Sequence, residues 1–277
     1  MKLRVGLSPC PNDTFAFHGL LSGAVRAEGL DLEFRLHDIE ELNQALARGD
    51  LDVAKSSFFA AQRHGREFGV LPVGAAIGFG VGPLLVARAA GPPPGPDDRV
   101  LAPGAGTTAF ALLRMLLPAA TTVQHVRFDT ILPAVARGAA DAGVVIHEGR
   151  FTFRQHGLVC RFDLGAEWER RHATPLPLGG LLARKSLGAA VHARFTAALR
   201  ASLAAAQADR TGAFATMQRH AQELAADAIW PHVELYVNEF TVALGERGRA
   251  ALATFAAALR ASGLVAPSLP PLEVLGE

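Results

Sequence analysis

The chain has 277 residues, half of them apolar and 19% charged, which is enough to bury a core and build two lobes. Its 27 basic and 26 acidic side chains leave a net charge of +1 with no basic run, so neither a nucleic-acid nor a membrane-surface partner is indicated. Two cysteines, Cys10 and Cys160, make no disulfide framework or zinc spacing, and no secretion-type leader or uncharged apolar run of about 18 residues occurs, so a cytoplasmic protein is expected.

In chain order, "LRVGL" predicts a strand, "DTFAFHGLLSG" a helix and "LDLEFRLH" a strand. A helix from Asp38 to Arg48, the strand "LDVAKSS" and a helix from Phe58 to Gly65 follow. This alternation predicts an α/β lobe with a largely parallel sheet. The run "GPLLVARAA" ends at "GPPPGPDD", residues 91–98, the richest Pro/Gly cluster and the expected crossing segment. A second round runs "RVLAP", "GAGTTAFALLRMLL", "TTVQHVRFD", a helix from Ile131 to Arg137, "DAGVVIHEGRF" and "HGLVCRFDL". The segment "TPLPLGGLL" reads as the return crossing, and the remainder as nearly continuous helix from Leu187 to Ser262, interrupted by Pro231. Two crossings predict a large discontinuous α/β lobe (residues 1–90 and 175–277) with a small α/β lobe (residues 91–174) inserted in it.

Ligands of open α/β sheets bind beyond the carboxyl ends of strands, which directs attention to four strand-to-helix turns. In "SPCPNDT", residues 8–14, Asn12 or Asp13 can cap a helix beginning near Thr14, or the loop can deliver that helix start to a ligand. A nucleophilic Cys10 would need a base and an electropositive setting, and no partner is visible, so the geometric reading is preferred. In "AKSS", Ser56 or Ser57 can cap the next helix. Lys55 with two hydroxyls behind it also makes a receiver for a carboxylate or hydroxyl.

The run "GAGTTA", residues 104–109, matches a relaxed dinucleotide fingerprint with Asp129 ending the next strand, but a lobe of about three parallel strands is too small for two mononucleotide halves. The simpler reading is an anion-binding turn, with Gly106 allowing backbone approach and Thr107 and Thr108 supplying hydroxyls. In "GVVIHEGRF", His147 follows an apolar strand. Position 151 is Phe, so this is not a zincin motif, and the other histidines show no ligand spacing, so no metal site is expected. His147 reads as a packing residue or, preferably, as a general base or acid facing a cleft. His220 and His232 fall in the helical tail, where a solvated face is expected.

The segments "SPCPNDTFAFHGL", "AKSSFFA", "GFGVGPLLVAR", "PGAGTTA", "GVVIHEGRFTF", "PLPLGGLLARKSL" and "IWPHVELYVNEF" together resemble the 1,4-dihydroxy-6-naphthoate synthase family of the futalosine route to menaquinone. The resemblance runs in order along nearly the whole chain. The sister family, chorismate dehydratase, shares the fold but lacks the SPCPNDT opening. The resemblance implies a two-lobed fold like type II periplasmic binding proteins, with the ligand cleft between lobes. It also implies cofactor-free cleavage of cyclic dehypoxanthine futalosine, a small-molecule carboxylate, with release of a pentose-derived fragment. Carried over, His147 is the proton acceptor, Lys55, Ser56 and Ser57 form a substrate element, and Thr107 and Thr108 form another. Asn12, Asp13 and Thr14 of the opening motif and Gly106 of the glycine turn complete the expected substrate site.

Overall fold

The computed structural model of the chain describes residues 1–220 and 226–276. Its strands, in order, are β1 (Lys2–Leu7), β2 (Asp31–Leu36), β3 (Val53–Ser57), β4 (Phe68–Val70), β5 (Ala76–Gly78), β6 (Leu84–Ala87), β7 (Val100–Ala102), β8 (Val123–His125), β9 (Ala142–Val145), β10 (Val159–Asp163) and β11 (Leu176–Arg184). They form two sheets. The first has the order β2-β1-β3-β11-β4, with β5 also on β11. Its β1, β2 and β3 are parallel, and β11 returns antiparallel to β3, β4 and β5. The second has the order β10-β6-β9-β7-β8, parallel between β9, β7 and β8 and antiparallel on both sides of β6. The expected parallel order therefore holds only for β1 to β3 in the first sheet and β7 to β9 in the second.

The sheet pairings move one expected boundary. The run "LLVA", placed by sequence in the first lobe, is β6, wholly buried and paired with β9 from Leu84 opposite Val145 to Ala87 opposite Ala142. The chain thus passes between the sheets in residues 79–83, and the Pro/Gly cluster at 91–98 joins β6 to β7 within the second sheet. Proline and glycine mark where regular structure stops. Which sheet a short apolar strand joins is decided by partners 60 residues away in sequence, which composition does not record. The return passage runs from the helix Leu164–His172 into β11.

The two passages touch. The Leu164 N–H donates to the Pro83 carbonyl at 3.2 Å, and a Cβ built on Gly82 would lie 2.1 Å from the Cα of Gly165. Only glycine at both positions lets the backbones approach this closely.

Local chemistry sets the helices that carry the site. The helix Ile39–Arg48 starts at a capping box: the Asp38 carboxylate accepts from the N–H groups of Glu40 and Glu41, while Glu41 accepts from the N–H of Asp38. It ends at Gly49, whose φ of 81° is the left-handed conformation that glycine adopts without penalty. The first helix begins at Pro11, not near Thr14, with Cys10 at the N-cap. The fixed φ of proline suits the first helical position, so Asn12 and Asp13 occupy the first turn and neither is the cap.

The tail forms the helices Ala189–Ala208, Arg210–His220, Ala226–Tyr236, Glu239–Val242 and Gly245–Ala261; residues 221–225 of the predicted helical stretch lie outside the described residues. Pro231 sits inside a helix instead of interrupting it. Burial of Ile229, His232, Val233 and Tyr236 around it outweighs the one hydrogen bond that proline forgoes. Near the chain end, Val70 and Leu275 exchange backbone bonds with the last residues of the chain and β4, at 2.8 Å each (Val70 N–H to Glu273 O, Leu275 N–H to Val70 O). None of the described helices is long and apolar enough to cross a membrane.

Candidate active site

A cleft with about 670 Å³ of unfilled space opens where the carboxyl ends of β1 and β3 face the turns after β7 and β9. The first lobe lines it with Ser8, Asn12, Asp13, Lys55, Ser57, His232 and Tyr236, and the second with Thr107, Thr108, Ile146 and His147. Strand periodicity chooses among the β3 residues. Lys55 and Ser57, two apart, share the face that meets the cleft, whereas Ser56 points the other way, fully buried, and donates to Asn43 Oδ1 at 3.0 Å.

The turn after β1 is organised by charge. Lys55 Nζ lies 2.6 Å from Asp13 Oδ1, both side chains less than a tenth exposed, and also donates to the Gly74 carbonyl at 3.1 Å. Asp13 further accepts from Asn12 Nδ2 at 2.9 Å and from the Ser8 N–H at 3.3 Å. A buried carboxylate with two neutral donors and an ammonium is well compensated, which is what allows both ions to persist at the cleft wall. Thr14 is absent from the cleft: its hydroxyl turns back to the carbonyls of Cys10 and Pro11. Cys10 is buried, and desolvation, with a smaller contribution from Glu148, pushes its thiol well above the ordinary range. That setting keeps it protonated and opposes the nucleophile reading.

Asn43, absent from the sequence reading, ties the end of β3 to the opposite lobe. Its Oδ1 accepts from Ser56 Oγ and the Ser57 N–H, both at 3.0 Å, and its Nδ2 donates to Ser57 Oγ at 3.2 Å and Glu40 Oε2 at 3.4 Å. Glu40 then reaches across to the glycine turn, where its carboxylate accepts from the Gly106 N–H at 3.0 Å. Gly104 has φ 132°, and a Cβ there would sit 2.7 Å from the Glu40 carboxyl carbon. The anion nest expected at Gly106 therefore exists, and the protein's own carboxylate fills it. Gly106 does not line the cleft.

Thr107 is the N-cap of the helix Thr108–Leu116, accepting from the Phe110 N–H at 3.2 Å and donating to the Gly104 carbonyl at 2.9 Å. Thr108 crosses between lobes, donating to the Leu178 carbonyl at 2.7 Å and accepting from the Phe59 N–H at 3.3 Å. Asp129 does not end a strand; it lies in the turn Phe128–Thr130 and pairs with Arg127. With Glu40 in the nest and Asp129 committed elsewhere, the dinucleotide fingerprint has neither its phosphate seat nor its ribose acceptor.

Two imidazoles meet the cleft. His147 follows β9 with φ 51°, one of two non-glycine residues in the left-handed region among those described, a conformation that costs about 1–3 kcal/mol and recurs at functional sites. Its ring packs edge-on to Phe128, centroids 5.3 Å apart, and makes no hydrogen bond to a described residue. Desolvation, followed by the Lys55 charge, lowers its pKa to about 4. It is neutral near pH 7.

His232 was placed by sequence on a solvated face, and the structure corrects this: it is fully buried and lines the cleft. Its Nε2 is 3.0 Å from Asn12 Oδ1, its ring is 4.6 Å from that of Tyr236, and its Nδ1 has no partner among the described residues. Desolvation first, then His147 and Lys55, lowers its pKa to about 3. Burial likewise pushes the Tyr236 phenol above its ordinary value. The i, i+4 spacing of His232 and Tyr236 was the available signal, since it sets both on one face of a helix. No group of three or more His, Cys, Asp or Glu among the described residues converges as a metal-ligand set.

Residues 3–261 match a family model described as menaquinone biosynthesis. The chain is 45% identical to the 1,4-dihydroxy-6-naphthoate synthase of Thermus thermophilus, over 98% of its own length and 99% of the relative's. It superposes with TM-score 0.90 and 31% identity on the crystal structure of protein AF1704 from Archaeoglobus fulgidus, covering 95% of this chain and 98% of that one. The periplasmic aliphatic sulphonate binding protein SsuA of Escherichia coli shares the fold alone, at TM-score 0.65 and 16% identity, over 100% and 94% of the two chains. The architecture is thus that of the periplasmic binding proteins, two lobes with the ligand cleft between them.

Proposed function

The chain belongs to the menaquinone-biosynthesis family and is an enzyme of that route, and from that premise we propose that it is a carbon–carbon lyase. Its substrate is cyclic dehypoxanthine futalosine, its product 1,4-dihydroxy-6-naphthoate, and it works without a cofactor. The observation that carries this reading is His147: an imidazole at a strained strand end, neutral near pH 7, on the cleft and free of hydrogen bonds to described residues. Such a ring can take a carbon-bound proton. The electron pair left on carbon becomes a double bond of the aromatising ring as the bond to the neighbouring carbon fragment breaks. The fragment leaves with that bond's pair and takes a proton back from the imidazolium, so atoms and electrons balance without an oxidant or reductant.

A carboxylate substrate entering beside His147 raises the pKa of the ring, which strengthens the base in the complex where it is used. Positioned base catalysis contributes about 100- to 10,000-fold. The remaining barrier falls to orientation and to donors for the developing negative charge, a role that suits Lys55, Ser57 and the Thr107 turn, which line the cleft.

The test is direct. Chelator-treated, dialysed protein is mixed with cyclic dehypoxanthine futalosine and product is followed by absorbance or fluorescence. Product formation is expected. Tight binding of the compound without product would favour a solute-binding role on the shared architecture and displace the lyase reading.

A further inference from the structure

We propose that His232 is a second substrate-contacting imidazole, held by Asn12 in the Nε2–H tautomer so that its bare Nδ1 accepts a hydrogen bond from a hydroxyl group of the ligand. The ligand's identity here rests on the lyase reading. The tautomer follows from a one-directional chain of bonds. Lys55 Nζ and Asn12 Nδ2 both donate to Asp13 Oδ1, at 2.6 and 2.9 Å. With its nitrogen spent on a carboxylate, Asn12 presents its oxygen to His232, 3.0 Å from Nε2. An amide oxygen only accepts, so Nε2 carries the proton, and in a neutral ring Nδ1 then keeps its lone pair.

That lone pair has no donor among the described residues, although the side chain is fully buried and lines the same cleft as His147. Phe151, from the second lobe, packs over the ring at 6.0 Å between centroids. Parting the lobes to admit a ligand lifts that cover. Of the groups on a dihydroxynaphthoate, the carboxylate has no proton to give, and a hydroxyl does. The arrangement therefore sorts the two ends of the ligand: hydroxyl toward His232, carboxylate elsewhere.

Two substitutions separate this role from a structural one. His232→Gln sets an amide at the Nε2 position, which keeps the donor to Asn12 and removes the acceptor at Nδ1. His232→Asn does the reverse. The probe is 1,4-dihydroxy-6-naphthoate itself, titrated by fluorescence into wild type and both variants, with thermal melts beside each. The Gln variant should bind about tenfold or more weakly, with kcat/KM reduced in step, while the Asn variant keeps more of the affinity. A Gln variant with wild-type affinity beside an impaired Asn variant would reduce His232 to a prop for Asn12.

Where either variant fails to fold, 15N resonances of histidine-labelled wild type decide. The unprotonated Nδ1 signal of His232 should move on adding the probe, and an unmoved signal overturns the proposal. Turnover with an unaffected Gln variant rejects this role alone. A wild type that neither binds the probe nor turns over rejects the lyase reading as well.

Discussion

Lys55 Nζ and Asp13 Oδ1 meet at 2.6 Å, both buried, and join the middle of β3 to the first turn of the helix that follows β1. Each side chain is less than a tenth exposed, so water compensates little of either charge. Asp13→Asn removes the countercharge and strands an ammonium in the cleft wall, so the variant should lose about 3–5 kcal/mol of stability. Urea denaturation measures it. A loss below about 1 kcal/mol would mean that water or another group solvates Lys55.

His147→Asn keeps approximate shape but cannot take a proton near neutral pH. Turnover should fall by at least about a hundredfold, while product affinity measured by calorimetry stays within a few fold. A correctly folded variant with near-normal turnover would remove His147 from the mechanism.

The pH profile has a fixed sign. The folded pKa of His147 is lowered to about 4, so the base remains available well below the ordinary histidine range, and kcat/KM should hold level through pH 6.5 and fall only toward pH 4. Stability runs the same way. The unfolded imidazole binds its proton from about pH 6.5 downward and the folded one only near 4, so the unfolded state carries more protons in that window and stability drops as pH is lowered through it. Melting temperatures across pH 4–8 test this. An acidic limb centred at 6.5 would indicate a different base.

Cys10 is buried with its thiol shifted upward, so Cys10→Ala should keep most activity, and iodoacetamide should leave the folded wild type at that position unmodified. A loss greater than about a hundredfold with the fold intact would restore the nucleophile.

Ser57→Ala and Thr107→Ala should each weaken product binding, but they differ in stability. Thr107 caps a helix, so its replacement also costs about 1 kcal/mol, whereas the Ser57 hydroxyl caps nothing and gives up only its bond to Asn43. Melts run beside the binding titrations separate the two effects. Unchanged affinity in both variants would move the ligand out of this part of the cleft.

Much of this site was legible because its residues sit where local rules act. His147 stands just beyond the end of β9, Lys55 and Ser57 share one face of β3, and Thr107 opens a helix behind a glycine turn. The errors have equally physical sources. The motif AKSS groups Ser56 with Lys55, whereas a strand turns alternate side chains to opposite faces and sends Ser56 to Asn43. Gly106 was assigned to the ligand because a glycine turn advertises free N–H groups; that Glu40, 66 residues earlier, satisfies one of them is a fact of tertiary packing. A place in the helical tail predicts a solvated face for His232, and the structure buries it. Its burial is set by the β1 turn, 220 residues away. The β6 assignment failed for the same reason, since pairing partners are not encoded near the strand they choose.

The contact of Gly82 with Gly165 places the entry and exit of the second lobe at one point, while the N-terminal strand and the chain end both belong to the first sheet. Under tension applied between the termini, the load therefore runs through the first lobe. The second hangs as a closed loop that bears force only after the glycine contact parts. Force spectroscopy should record two ruptures in fixed order, the first releasing the lobe built on β1 to β5 and β11 and the second the segment between residues 83 and 164. Gly82→Ala, whose Cβ would sit 2.1 Å from a backbone atom, should pry the loop open and merge or reverse the two events.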